Sequence, residues 1–428
     1  MDTEQRLQVY KFGGASVKDA AAVLNLRRIV EAHLGPLVIV VSAMGKTTNA
    51  LEEIFNLAYN GKEYAGALGR VEAFHRDAAD SLATGAGPHM MADINEGFRN
   101  AFDALEAQLA AVSASKDYDE QYDQVVSYGE LLASEFVAHV LNDLRPTNWL
   151  DCRPLLRTDE SWREARIDWK VTEEKLRSEV LPHFQQVRAI VTQGFVGGTA
   201  DGRTTTLGRE GSDYTAAILA YCLRAESVTI WKDVAGLLNA DPKIFPDTVR
   251  YPEISYRETI EMAYYGASVI HPKTLKPLAG RNIPLRVKSF LDPVAEGTLI
   301  HDCQHAALAP AFIRKTDQAL LSFTSKDFSF ISEENMAVIF GALAHAKLKI
   351  NVMQNSAISF SVCVDYSERR VHQLLDLLRE HFTLHYNTGL TLFTIKNYDA
   401  ASIARLTAGK RLLLEQRTRH TFQFVCQS

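Results

Sequence analysis

The chain has 428 residues, 46% hydrophobic and 23% charged, with a formal net charge of −6. That length accommodates two or three domains with real cores, and the composition is that of an ordinary globular protein. A modest negative charge gives no reason to expect nucleic acid or an anionic membrane as partner. The five cysteines are odd in number and widely spaced, with no CxxC, which reads as reduced thiols in a cytoplasm. No apolar run is long enough to span a bilayer, and Met1-Asp2-Thr3-Glu4 does not read as a signal peptide.

Residues 7–12 read as a first strand, followed by Gly13-Gly14-Ala15-Ser16 and a helix over about 18–32. A strand, a double glycine and a helix can make a phosphate cradle, with Lys11 at the strand end placed to reach a phosphoryl oxygen, although glycine pairs at strand–helix junctions are more often plain turns. Residues 36–41 are a second strand, continuously apolar and so central in a parallel sheet. The turn Ser42-Ala43-Met44-Gly45-Lys46-Thr47-Thr48-Asn49 mimics the end of a Walker A loop, but the position that needs glycine is Val40. A P-loop NTPase is therefore excluded. Ser42, Thr47 and Thr48 remain as hydroxyl donors on a strand–helix turn.

From 51 to about 141 the pattern is helical, and Ser127-Tyr128-Gly129-Glu130 opens one of these helices. Alone, Glu130 reads as a solvated first-turn acid favoured by the helix dipole. A strand over 187–192 then feeds the stretch TQGFVGGTADGRTTTLGREGSDYTAAILA, a loop rich in glycine, hydroxyls and arginine that ends at a helix. Ser212 is the expected N-cap and Asp213 lies in the first turn. Such a loop offers free N–H groups to an anion. Asp213 cannot bind the anion itself and is expected to orient a cation or an ammonium.

A strand over 227–231 leads to Lys232-Asp233 and on to Asp241-Pro242-Lys243. A helix over 256–265, the turn ending in His271-Pro272 and a strand over 285–290 complete the region. Strands alternating with helices predict a three-layer α/β/α domain with a mainly parallel sheet, with ligands at the carboxyl ends of its strands. His271 reads as a packed loop histidine. His301, Cys303 and His305 lack a second ligand pair and do not read as a metal site.

After Pro310 the texture changes to βαββα, a small ferredoxin-like unit. Strands at 320–324, 348–353 and 358–364 surround helices marked by Met336, Ile339, Phe340 and Leu343 and by Val371, Leu374, Leu375 and Leu378. A second, shortened copy begins near 386. It lacks a final helix, so one face of its sheet is expected to be partly uncovered. The expected domains are 1–300, a linker at 301–310, then units at 311–385 and 386–428.

Lys11-Phe12-Gly13-Gly14, the block from Ser42 to Asn49, Gly129-Glu130, and Thr205-Thr206-Leu207-Gly208-Arg209 with Gly211-Ser212-Asp213 resemble the signature blocks of aspartate kinase, in the family's order. Trp231 with Asp233-Val234, and His271-Pro272, fit the same pattern, and the tandem C-terminal units resemble its ACT regulatory domains. The resemblance implies transfer of the γ-phosphoryl of ATP, with Mg²⁺, onto the side-chain carboxylate of L-aspartate. It assigns Lys11 to the phosphoryl group and Asp213 to organising lysine or substrate. Arg209 would grip the α-carboxylate, Glu130 would pair with the α-ammonium, and Thr48 and Ser212 would hydrogen-bond substrate. Phe12, Gly13, Gly14, Ser42, Lys232, Asp233 and Lys243 would lie at the nucleotide.

Three departures from the family stand out: Glu210 where glycine is common, Lys232 where threonine is usual, and Ser268 where a lysine near ATP is often found. No homoserine dehydrogenase domain is expected in a chain of this length. The resemblance further implies lysine or threonine as feedback effector and a homodimer through the ACT-like units. The effector is expected at the turn over 328–334 and around Asn351, Gln354, Asn355 and Ser356. Another acyl-phosphate kinase of this fold, acting on glutamate or carbamate, and a non-catalytic amino-acid sensor are the alternatives.

Overall fold

The computed structural model describes residues 7–82, 88–267, 270–304, 308–327 and 329–427. It divides into two compact units: Met1–Leu237 with Arg250–Ile260 and Ile270–Gln304, and Leu238–Val249 with Glu261–Val269 and His305–Ser428. Ser268, His305 and Phe328, singled out in the sequence, lie outside the described residues.

The first unit is built on an eight-stranded sheet. Its strands are β1 (Gln8–Phe12), β2 (Leu37–Val41), β3 (Thr147–Leu150), β4 (Ala189–Gln193), β7 (Ser227–Lys232), β8 (Glu253–Ser255), β9 (Leu285–Ser289) and β10 (Thr298–His301). A small hairpin, β5 (Val196–Gly198) with β6 (Thr204–Thr206), stands apart. The order is β3-β4-β2-β1-β7-β9-β10-β8, and only the β9–β10 pair is antiparallel. β2 is buried at every position, as its unbroken apolar run predicts for a central parallel strand.

Helices α1 (Ala20–Glu31), α2 (Thr47–Tyr59), α3 (Ala65–Asp80), α4 (Pro88–Ala110), α5 (Tyr118–Val126) and α6 (Tyr128–Asn142) precede β3. They are followed by α7 (Trp169–Lys175), α8 (Gly211–Leu223), α9 (Tyr256–Tyr265) and α10 (Pro272–Gly280). One core joins α1 to α6 with the Phe12, Ile39 and Val191 face of the sheet. Its floor is almost wholly apolar, and at about 25 cal/mol per Å² this burial is the main force ordering the strand ends that carry the site.

The expected N-cap at Ser212 is not what forms. Helix α8 begins at Gly211, and the residue before it, Glu210, adopts φ 54°, a left-handed conformation with no side-chain cap. Glycine takes that conformation without strain, which accounts for glycine being usual there. Glu210 is instead held by its carboxylate, which accepts the His271 backbone N–H at 2.8 Å.

The second unit is one antiparallel sheet of six strands in the order β12-β13-β11-β14-β16-β15. These are β11 (Ala311–Ser325), β12 (Ile350–Asn355), β13 (Ser359–Asp365), β14 (Phe382–Lys396), β15 (Leu412–Arg417) and β16 (Thr421–Gln427), with helices α11 (Glu333–His345), α12 (Glu368–Leu378) and α13 (Ala400–Thr407). Residue 386 falls inside β14, which pairs along its length with β11. The two repeats are thus halves of one continuous sheet.

The expected uncovered face of the second repeat is not observed. Thr421 to Cys426 of β16 are all buried, as are Leu390 to Lys396 of β14. The reason is that Leu238–Val249 and Glu261–Val269 belong to this unit. Phe245 stacks on Phe312 at 5.5 Å, and Glu261 pairs with the buried Lys396. Two short segments from the middle of the chain cover surface that a final helix would have covered.

Candidate active site

A cleft of about 690 Å³ opens at the carboxyl ends of β1 and β2, beside the start of α8. Lys11, Glu130, Arg209, Ser212, Asp213 and Lys232 all line it, as do Gly14, Ser42 and Thr48. Residues more than 200 positions apart in sequence, such as Lys11 and Lys232, therefore meet in one place, as the blocks require.

The turns meet because they carry almost no side chain. A Cβ on Gly14 would stand 2.8 Å from the Ala43 carbonyl oxygen and 2.9 Å from that of Gly45, closer than packed atoms allow. With glycine there, the Gly45 N–H donates to the Gly14 carbonyl at 3.0 Å and the Ser42 N–H to the Phe12 carbonyl at 3.1 Å. A Cβ on Gly211 would meet the Phe195 ring at 2.5 Å, so α8 can start against the β4–β5 turn only with glycine.

At the centre, Asp213 is bracketed by two cations. Lys11 Nζ lies 2.7 Å from Oδ1 and Lys232 Nζ lies 3.2 Å from Oδ2. Asp213 is 2% exposed. Burial opposes its ionisation, but Lys11 and then Lys232 outweigh it and hold the carboxyl below its ordinary range. The arrangement fixes two ammonium groups about one carboxylate at the mouth of a cleft. It leaves net positive charge where an anion can approach.

Glu130 is 3% exposed, not the solvated first-turn acid its own segment suggests. One oxygen accepts the Ala43 N–H at 3.3 Å, and the other has no hydrogen-bond partner among the described residues. Burial pushes its carboxyl up to about 8, against the pull of the Ala43 N–H and Lys11. A buried carboxyl with one oxygen unpaired is poised for a cation. Arg209 is exposed at the cleft edge.

Phe12 does not reach the cleft. Its side chain is fully buried and stacks on Trp231 at 6.1 Å, so only its backbone takes part in the turn. Asp233 is exposed and does not line the cleft. Lys243 falls in the second unit.

Arg163, which lines the cleft, and Asp123, which stands behind it, carried no signal in the sequence. Arg163 has φ 65° and lies 4.1 Å over the Tyr122 ring. Asp123 accepts the Arg163 N–H at 2.9 Å, the Thr206 N–H at 2.8 Å and the Thr206 hydroxyl at 2.7 Å. Burial pushes the Asp123 carboxyl up to about 6, against these donors. Asp123 thus fixes two walls of the cleft without facing it. Its partners are 40 and 83 residues away, which no local pattern announces.

His271 caps α10 through its ring nitrogen and the Lys273 N–H, at 3.2 Å, in keeping with a packed loop histidine. His301 pairs with Glu253 at 3.1 Å. Among the described residues no group of three or more His, Cys, Asp or Glu could hold a metal ion.

In the second unit, Asn351 is committed to its neighbours. It accepts from Lys315 Nζ at 2.9 Å and donates to Gln318 at 2.8 Å and Asp365 at 2.9 Å. Gln354, Asn355 and Ser356 are exposed at the β12–β13 turn. The start of α11 closes on itself through a capping box between Ser332 and Asn335, with Glu333 and Glu334 in its first turn.

The model of the amino acid kinase family matches residues 6–289. The lysine-sensitive aspartokinase 3 of Escherichia coli K12 is 33% identical over 359 residues, which is 83% of this chain and 78% of that protein. The crystal structure of E. coli aspartokinase III with lysine and aspartate, described as a T-state, superposes with a TM-score of 0.80 at 29% identity, covering 98% of this chain and 95% of that one. The same enzyme with aspartate and ADP, described as an R-state, gives 0.79 at 28% identity, covering 98% and 96%. The chain belongs to the amino acid kinase family and, within it, to the aspartokinases.

Proposed function

We propose that the chain transfers the γ-phosphoryl group of ATP to the side-chain carboxylate of L-aspartate, giving 4-phospho-L-aspartate. The observation that carries this reading is Asp213 held between Lys11 and Lys232 in a cleft that also holds Glu130 and Arg209. The accepting carboxylate is ionised near pH 7, so no general base is required. The reaction needs charge neutralisation and in-line positioning. Lys11 supplies the first, drawn to the transferring oxygens.

Lys232 is the second cation. It stands where threonine is usual in the family, and its ammonium reaches the free oxygen of the carboxylate that holds Lys11. Arg209 takes the α-carboxylate with its planar fork. Glu130, with one unpaired oxygen, takes the α-ammonium. Thr48 and Ser212 add hydroxyls, and Gly13 and Gly14 admit the phosphates closely. Asp233 belongs to the nucleotide side in this reading. Mg²⁺ would enter with ATP and would supply charge neutralisation at its phosphates. Asp213, with both oxygens on lysines, is not free to ligate it.

L-Lysine is the effector we assign, supported by the lysine sensitivity in the name of the E. coli relative. Its place is the exposed β12–β13 turn with Gln354, Asn355 and Ser356. A homodimer through the second unit fits the edge position of β12 and the exposure of Phe330 at 76%, Met353 at 48% and Phe340 at 40%. A cytoplasmic setting accords with five cysteines free of disulfides.

The test is ADP release with L-aspartate, with L-glutamate, with carbamate and with no acceptor. Release that depends on aspartate is expected. Preference for glutamate or carbamate would move the chain to another acyl-phosphate kinase, and no release with any acceptor would leave a sensor.

A further inference from the structure

The first unit holds a second cavity, of about 650 Å³, on the other face of the same strands. Neighbours along a strand point to opposite faces. Lys11 and Lys232 face the phosphoryl cleft, whereas Tyr10 and Trp231 line this second cavity. Helix α1 walls it through Arg28 and Ile29, His33 follows just after the helix end, and Arg286, Lys288, Pro293 and Val294 line the other side. The floor is aromatic: Tyr10 and Trp231 meet edge to face at 5.7 Å, and Trp231 stacks on Phe12 behind.

The rim is cationic. Arg28, Arg286 and Lys288 line the cavity, and Lys288 Nζ lies 5.3 Å above the Trp231 ring. Among the described residues Arg286 and Lys288 form no ion pair. Burial, and then Arg286, pulls the Lys288 ammonium below its ordinary value. Glu226 is the one acid in the lining and sits beside the Gln8 amide at 3.5 Å, while Asp292 and Glu296, outside the lining, partly offset the pull on Lys288 without forming an ion pair with it.

Two buried polar atoms beneath this surface lack partners: the indole N–H of Trp231, whose residue is 4% exposed, and Nε2 of His33. Buried polar atoms without a hydrogen-bond partner are rare in folded chains and ask for an explanation. The size is that of a small-molecule pocket, with an apolar floor and a few convergent polar groups. Inorganic phosphate would leave the aromatic floor unused. A neutral apolar ligand would leave unpaired cations at the rim.

We propose that this cavity binds a small organic anion with a planar apolar body, its carboxylate, sulfonate or phosphate held by Arg286 and Lys288 and its flat part against Trp231 and Tyr10. The site is separate from the phosphoryl cleft. Trp231 and Lys232 are adjacent in sequence, as are Phe12 and Lys11, so an occupant bears on the strands that carry both active-site lysines. The assignment does not depend on which acceptor the kinase uses.

The probe is 8-anilinonaphthalene-1-sulfonate titrated into the full chain, read by energy transfer from tryptophan, with uncharged N-phenyl-1-naphthylamine alongside. The expected result is one saturable sulfonate site per chain that saturating ATP and L-aspartate do not displace. The double variant Arg286→Glu/Lys288→Glu should weaken sulfonate binding by at least about tenfold, a change of order 1.4 kcal/mol. Affinity for the uncharged analogue should stay within about twofold, since the apolar floor is intact. Should that variant unfold early in a thermal scan, Arg286→Gln/Lys288→Gln keeps size, removes charge and should still weaken sulfonate binding. Unchanged sulfonate affinity in the folded variants, or displacement by ATP, overturns the proposal. A fall in molar mass from wild type to variant by light scattering also overturns it, because a second copy of the chain would then be the occupant.

Discussion

With Glu130 as the proposed partner of the α-ammonium, aspartate recognition should depend on pH. The Glu130 carboxyl is pushed up to about 8 by burial, so in the free chain at pH 7 only roughly a tenth of the molecules carry the carboxylate. If the carboxylate form alone pairs with the α-ammonium, apparent affinity is reduced by that fraction. Raising the pH from 7 to 8.5 brings the ionised fraction to about three-quarters, so KM for L-aspartate should fall about eightfold. Aspartate binding at pH 7 should also release close to about one proton per site, because the ammonium draws Glu130 into its charged form. Initial rates across this range give the first quantity, and calorimetry in two buffers of different ionisation enthalpy gives the second. Glu130→Gln should weaken aspartate at the upper end and flatten the profile, which separates Glu130 from Asp123 and His271. A KM that does not move between pH 7 and 8.5, with no proton released, would remove Glu130 from aspartate binding.

Lys11→Met should lower kcat by about 10³-fold with little change in KM for aspartate, the pattern of an interaction made mainly in the transition state. Steady-state kinetics decide this, and near wild-type turnover would remove Lys11 from the chemistry. Arg209→Lys should raise KM for aspartate while leaving nucleotide affinity intact, because an ammonium cannot reproduce a bidentate fork. Loss of ATP binding with an unchanged aspartate KM would move Arg209 to the nucleotide site. His75 is fully buried and its pKa is lowered to about 4 by burial, against a bond to the Val71 carbonyl. Its folded value lies below the unfolded 6.5, so stability is lost as pH falls from 6.5 towards 4, by up to about 3 kcal/mol. Urea titrations at pH 7.5 and 5 should show this loss, and His75→Phe should reduce it. Met353→Lys on edge strand β12 should turn the dimer into a monomer in light scattering, as edge lysines block strand pairing. A wild-type chain that is itself monomeric would end the dimer reading.

Much of the site was legible because phosphate chemistry leaves local marks. Glycines at 13 and 14, the Ser42 to Asn49 turn and the Arg209 to Asp213 block each lie where strand meets helix. Chain order then supplied the rest. The state of Glu130 was not legible, because a first-turn acid looks the same whether solvent or a buried sheet end lies beyond it. Ser212 looked like an N-cap because its residue type favours that position, but Glu210 took the cap in a left-handed conformation that residue type does not reveal. Asp123 and Arg163 act through partners distant in sequence and give no periodic signal.

The second unit shows the same limit. Its two repeats were visible from alternation in β13 and from the helical spacing of α11 and α12. Their fusion into one sheet, and its cover by Leu238–Val249 and Glu261–Val269, are tertiary facts. They also change how regulation is tested. Cutting the chain near residue 310 would strip those two segments of the sheet they pack on, exposing residues such as Phe245. Substitution at β12 is therefore the cleaner probe of assembly.

In the proposed reaction two lysines organised by Asp213 pass a phosphoryl group to the side-chain carboxylate of aspartate. The most direct measurement is to run the reaction in hydroxylamine, which traps an acyl phosphate as the hydroxamate, and to follow ADP at the same time. The wild type should form β-aspartyl hydroxamate equal in amount to ADP, and Asp213→Asn should lose both together. ADP formed without hydroxamate, or hydroxamate formation undiminished in Asp213→Asn, would contradict that assignment.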